Sequence, residues 1–222
     1  MWWFVMLVAC VGGSGKSTGP QIPSGIQSIA PPPQSVEYVR INVAAPIELP
    51  SNRIREQWDG PHLQGDLITY DVTALDITSD DRGLRLTGDR HWISAEGYGY
   101  LGTFDVDGVF TPWEPKQVLL PPDPKIGDTW TGTHTKADSV SVRTCEILAS
   151  DYCAGGIVSV CDSRKDGGVI VLRDHFCPGI GWGGFEALVQ TNGNAPSIRM
   201  WSEELVKNGQ PIPDPTPPES GG

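Results

Sequence analysis

The sequence predicts a mainly β protein, an antiparallel twisted sheet or partly open barrel braced by disulfides, and three observations carry that expectation. From residue 36 onward apolar and polar residues alternate, as in Ile68, Tyr70 and Val72 against Thr69, Asp71 and Thr73, the period of a strand with one face turned inward. Turn formers interrupt the alternation at short intervals, among them Asp80-Asp81-Arg82-Gly83 and Lys165-Asp166-Gly167-Gly168, so hairpins rather than crossover helices join the strands. Four cysteines, Cys145, Cys153, Cys161 and Cys177, crowd one stretch of the C-terminal half without a C-x-x-C pair. That spacing suits disulfides better than zinc.

The first ten residues set the compartment. Trp2, Trp3, Phe4, Val5, Met6, Leu7, Val8 and Ala9 form an uncharged run that stops at Cys10. At about 1.5 Å per residue the run reaches roughly half of a hydrocarbon core of about 30 Å, so it is too short to span a membrane and has the length of a signal-peptide h-region. Leu7-Val8-Ala9-Cys10 resembles the bacterial lipobox. The resemblance implies cleavage after residue 9, lipidation of Cys10 with palmitate-type chains, and attachment to the cell envelope through that lipid. Val11 follows Cys10, where the lipoproteins this resembles carry Asp when they stay in the inner membrane, so the expectation is the outer membrane. Residues 10–35 then read as the lipidated cysteine and a flexible tether, extended around Pro31-Pro32-Pro33.

Within the tether, Gly13-Ser14-Gly15-Lys16-Ser17-Thr18 imitates the end of a phosphate-binding loop. The first glycine of that motif is missing, and Gly19-Pro20 stands where its helix would begin, so no helix dipole is available for a phosphate and no nucleotide is expected. The acidic chain, with a formal net charge of -11, argues against a nucleic-acid backbone as partner and against electrostatic docking on anionic lipid.

Residues 36–207 read as a single β domain. Residues 36–43, 67–77, 84–87, 91–93 and 98–104 are its first strands, with one short helix expected at 52–58. A second imitation follows, because Asp105, Asp107, Gly108 and Glu114 match four places of a calcium loop. Thr103 and Pro112 break the pattern, so the preferred reading is a hairpin turn at Asp107-Gly108 with weak calcium binding disfavoured and no cofactor expected. Pro121-Pro122-Asp123-Pro124 reads as a proline-fixed crossing between sheets in preference to a subdomain break at 121–124. Residues 208–222, rich in proline, are expected to be disordered.

In the second half, strands at 139–148 and 157–163 flank a turn near Cys153, which places Cys145 opposite Cys161. The return of 169–176 then brings Cys177 beside Cys153. This register favours Cys145 with Cys161 and Cys153 with Cys177, although four cysteines permit two other connectivities. The glycine-rich Gly179-Ile180-Gly181-Trp182-Gly183-Gly184 reads as a bulge at a sheet corner. Gly127-Asp128-Thr129-Trp130 together with Phe176-Cys177-Pro178-Gly179-Ile180-Gly181 resembles a layout of uncharacterised periplasmic lipoproteins. That resemblance implies a curved sheet similar to those of periplasmic lipid or protein binders, and it implies no catalytic residues.

Asp174-His175 looks like an acid beside a base, but neighbours in a strand point to opposite faces and cannot pair as a dyad. His62, His91 and His134 have no ligand spacing, so no metal is expected. The expectation is a non-enzymatic, lipid-anchored envelope protein, a binding or structural module with another envelope protein as its partner. One alternative is a carrier of a hydrophobic ligand or lipid, held in a concavity lined by Trp92, Tyr100, Trp130 and Trp182. A hydrolase is the remaining alternative and would need distant Asp, His and Ser residues to converge in one pocket. Metabolic labelling with a palmitate analogue is expected to mark the wild-type chain and not Cys10→Ala; labelling unchanged by the substitution would remove the lipid anchor.

Overall fold

The computed structural model describes residues 22–27, 35–42, 52–136, 139–165, 168–190 and 198–203. The expected leader, Cys10, the phosphate-loop imitation and the tail at 208–222 lie outside these residues. A short helix, α1 (Ser24–Gln27), precedes twelve strands. The first six are β1 (Ser35–Asn42), β2 (Asn52–Gln64), β3 (Leu67–Asp76), β4 (Leu84–Ser94), β5 (Gly97–Phe104) and β6 (Phe110–Leu120). The rest are β7 (Thr129–Lys136), β8 (Ser139–Ala149), β9 (Ile157–Lys165), β10 (Gly168–Cys177), β11 (Gly181–Gln190) and β12 (Ile198–Ser202).

Each strand pairs antiparallel with the next, and β1 pairs with β12, so the sheet closes into a barrel. The closure carries five registered pairs, from Tyr38 opposite Ser202 to Asn42 opposite Ile198. Glu203, just past β12, receives Arg53 Nε at 2.6 Å, and Arg53 and Arg55 both reach Glu37 at 2.8 Å. These ion pairs are partly exposed and stabilise little singly; their effect is to tie Arg53 of β2 both to Glu37 of β1 and to the end of β12. The weakest seam is β6 with β7, joined by the single registered pair Glu114 and Thr135. The 121–124 segment connects β6 to β7 of the same sheet.

Residues 52–58 are the start of β2 and not a helix. Ile54 and Trp58 are buried while Arg53 and Gln57 are exposed, and that period of two overrides the helical look of Arg-Glu-Gln, because burying one face of the strand outweighs intrinsic propensity. The tether expected at 10–35 also holds structure: the Ile26 side chain in α1 is fully buried and belongs to the barrel core. A Cβ on Gly25 would stand 2.9 Å from Asp123 Cα, so α1 lies directly on the 121–124 connection and closes that end of the barrel.

The core beneath α1 is apolar, built from Ile68, Ile93, Tyr98, Leu119, Leu120 and Phe176. Two disulfides brace the C-terminal half. Cys145 and Cys161 are direct cross-strand partners of β8 and β9, with Cα atoms 4.1 Å apart, and Cys153 joins the β8–β9 turn to Cys177 at the end of β10, at 5.8 Å. A bulge between His175 and Phe176 sits opposite the glycine-rich start of β11. Ile26→Ala should therefore lower the unfolding free energy by about 2–4 kcal/mol in urea titration, as for a buried aliphatic side chain, whereas a side chain on a loose tether would leave it unchanged.

Candidate functional site

Alternation along β2 puts Ile54, Glu56 and Trp58 on the inner face. The register extends that face from Glu56 to Ala74 and from Trp58 to Val72 on β3, then from Val72 to Asp89 on β4. With Tyr100 of β5 and Trp182 and Phe185 of β11, these strands line a partly open cavity of about 300 Å³, at the lower end of the range for small-molecule sites. The walls are mainly apolar, from Ile54, Val72, Ala74, Leu86, Trp182 and Phe185. Glu56 and Asp89 add carboxyl groups, and Thr87 and Tyr100 add hydroxyls. No Lys, Arg or His lies among these lining residues.

The indole of Trp182 is fixed from behind. Its Nε1 donates to Asp174 Oδ1 at 3.0 Å, Tyr38 meets its ring edge-on at 5.0 Å between centroids, and the Tyr38 hydroxyl donates to the Trp182 carbonyl at 3.4 Å. A second polar group in the lumen surrounds Arg143 of β8. The Gln117 amide, oriented with its oxygen toward the guanidinium, accepts from Arg143, which lies 5.8 Å from the Trp113 ring; Trp113 in turn stacks on His134 at 4.7 Å.

Burial dominates the titration of these groups. It pushes the Glu56 carboxyl up to about 8, and the neighbouring Asp89 pushes in the same direction. The Trp58 indole beside Glu56 pulls the other way. Glu56 retains some accessibility through the cavity while protein surrounds it on every side. Burial raises Asp174 to about 6 against the pull of Arg143 and the Trp182 hydrogen bond, and lowers Arg143. Mutual attraction of this Arg and Asp across the lumen is thus outweighed, for both, by loss of water. His91 is held down to about 3 by burial, its Nδ1 2.6 Å from the Tyr98 hydroxyl. His134 is held down to about 4 by burial and by Arg143.

Of the residues expected to line a concavity, Tyr100 and Trp182 do. Trp92 and Trp130 are spent elsewhere: Trp92 Nε1 donates to the Gln117 carbonyl at 3.0 Å with Lys116 over its ring, and Trp130 Nε1 donates to the Val118 carbonyl at 3.4 Å. Asp174 and His175 face apart. Asp174 bonds Trp182 in the lumen, while His175 Nδ1 lies 3.0 Å from Ser150 Oγ, a turn hydroxyl that also accepts from Tyr152 N. In the calcium-loop imitation, Asp105 Oδ1 accepts from the backbone of Asp107 and Val109, and Gly108 takes the left-handed conformation at φ 83°. Glu114 stands in β6 opposite Thr135. Glu56, Asp89, Arg143 and Gln117 were not picked out by sequence reasoning. The available signal was a polar residue at an inward place in an alternating run, as Glu56 is between Ile54 and Trp58.

No family model matches the chain, and no curated protein does. Among solved structures, a protein of Parabacteroides distasonis described provisionally as a lipoprotein matches with a TM-score of 0.40 and 9% identity, over 78% of this chain and 96% of that one. A likeness of that size carries no argument about this chain.

The shifts set the pH dependence of stability. A carboxyl raised in the folded state keeps its proton there while the unfolded chain has lost it, so stability falls as pH rises between the unfolded and folded values. For Glu56 that interval runs from 4.5 to about 8, and for Asp174 from 3.8 to about 6. The lowered histidines act oppositely, losing stability as pH falls below 6.5. Between pH 6.5 and 8 Glu56 alone acts among these groups. The wild-type midpoint of thermal unfolding should drop by a few degrees across that interval, for about 1–2 kcal/mol, and Glu56→Gln should flatten the slope; an equal slope in the variant would place the effect elsewhere.

Proposed function

We propose that this is a lipid-anchored protein of the cell envelope, non-enzymatic, whose barrel holds a small molecule in its lumen. The observation that carries the reading is the cavity itself: about 300 Å³ of partly open space in the barrel, between apolar walls and a few convergent polar groups. That combination is the usual composition of a ligand site, with apolar surface supplying affinity and a few polar atoms fixing orientation. The lipobox-like Leu7-Val8-Ala9-Cys10 supports attachment through Cys10, and two disulfides in the described residues suit an oxidising compartment such as the outer-membrane side of an envelope.

The site supports binding over hydrolysis. The lining residues include no Ser, Cys or His, and the one described Ser–His pair, Ser150 with His175, joins a turn to β10 rather than facing the cavity. Compared with a carrier of long lipid chains, the volume favours a compact ligand. Native mass spectrometry of protein released gently from membranes should show a 1:1 adduct of small mass on the wild type that is missing from Ala74→Leu, in which the cavity is filled. Bare protein in both preparations would overturn the reading and leave a structural barrel.

A further inference from the structure

We propose, building on the lumen-binding reading, that the cavity selects a small organic cation: an amine on an apolar body, its ammonium paired with Glu56 and its body against Trp182 and Phe185. Across the described residues, the groups coupled to Glu56 are Asp89 on β4, Tyr38 on β1, and Tyr98 and Tyr100 on β5, together with the indole nitrogen of Trp58. Every one is anionic or neutral. The described cation of the lumen, Arg143, is engaged by Gln117 and attracted by Asp174 and Tyr100.

A buried carboxyl in that setting is costly to ionise and gains most from a positive charge brought to it. Trp58, only 7% exposed, covers the same carboxyl and offers it one indole N–H and no positive charge. Two aromatic residues of β11 in the same lining supply the rest of the recognition. Trp182 is held in position by Asp174 and Tyr38, and Trp182 and Phe185 lie 6.3 Å apart with their planes tilted by 41°. Aromatic faces attract cations and exclude water from the apolar body. A carboxylate or a neutral ligand would leave Glu56 protonated and gain no ion pair from it, whereas an ammonium gains one by drawing the proton off.

Calorimetric titration of the folded chain at pH 7 with three probes of one shape tests this: 2-phenylethylamine, 2-phenylethanol and 3-phenylpropionate. The amine should bind 1:1 at least tenfold more tightly than the alcohol, and the propionate more weakly than both. Because Glu56 is mostly protonated when the site is empty, amine binding should release close to one proton, read from the dependence of the heat on the buffer's ionisation enthalpy. Glu56→Gln, with unchanged near-ultraviolet circular dichroism, should lose the amine's advantage and the proton release while keeping alcohol binding; should that variant fail to fold, the proton release of the wild type decides alone. Equal affinity for amine and alcohol would overturn the cation assignment and leave the lumen-binding reading standing. Failure of all three probes to bind would overturn both.

Discussion

Closure by twelve strands is the constraint on which the rest depends. Barrel diameter grows with strand number, and at about eight strands inward side chains just fill the interior. Twelve strands make a wider lumen, and this chain fills it by three means. Large aromatic and aliphatic residues such as Tyr98, Phe176 and Leu120 pack the part under α1. Ile26 is inserted at the end of the barrel itself. A polar group centred on Arg143 and Gln117 occupies another part. What these leave is the space beside Glu56.

That space exists because its neighbours are immobilised by other tasks. Trp182 could swing to fill it, but it donates to Asp174 across the bulge between β10 and β11. Gly181, which opens β11 beside the bulge, takes the left-handed conformation at φ 85°, so a turn feature of the sequence ends in the placement of a ring in the lumen. The bridge between Cys153 and Cys177 holds the adjoining end of β10 to the β8–β9 turn. A loop closed over a separation of 24 residues contributes about 3 kcal/mol in the chain-entropy model, and that contribution offsets part of the cost of retaining ionisable groups and unfilled volume inside.

The alternation of apolar and polar residues made the β class and most strands legible. The cysteine pairing followed from strand register alone, since a register centred on a turn brings Cys145 to Cys161 whatever the curvature of the sheet. The start of β2 was read as helical because Arg-Glu-Gln suits a helix locally, and only the distant partners of Ile54 and Trp58 make it a strand. Ile26 was hidden among glycines and prolines that signal a tether. The site was the least legible part. Trp92 and Trp130 are as large and apolar as Trp182, and nothing local says that their indole nitrogens meet the carbonyls of Gln117 and Val118. Glu56 becomes informative only once closure has placed it inside.

Glu56 lies within the lumen with no compensating positive charge among the described residues. Carbon-detected NMR of the Glu56 side-chain carboxyl, assigned by comparison with Glu56→Gln and followed from pH 4 to 9, tests it most directly. A midpoint near 8, set by burial and Asp89, is expected. A midpoint close to 4.5, that of a glutamate in open solvent, would contradict it.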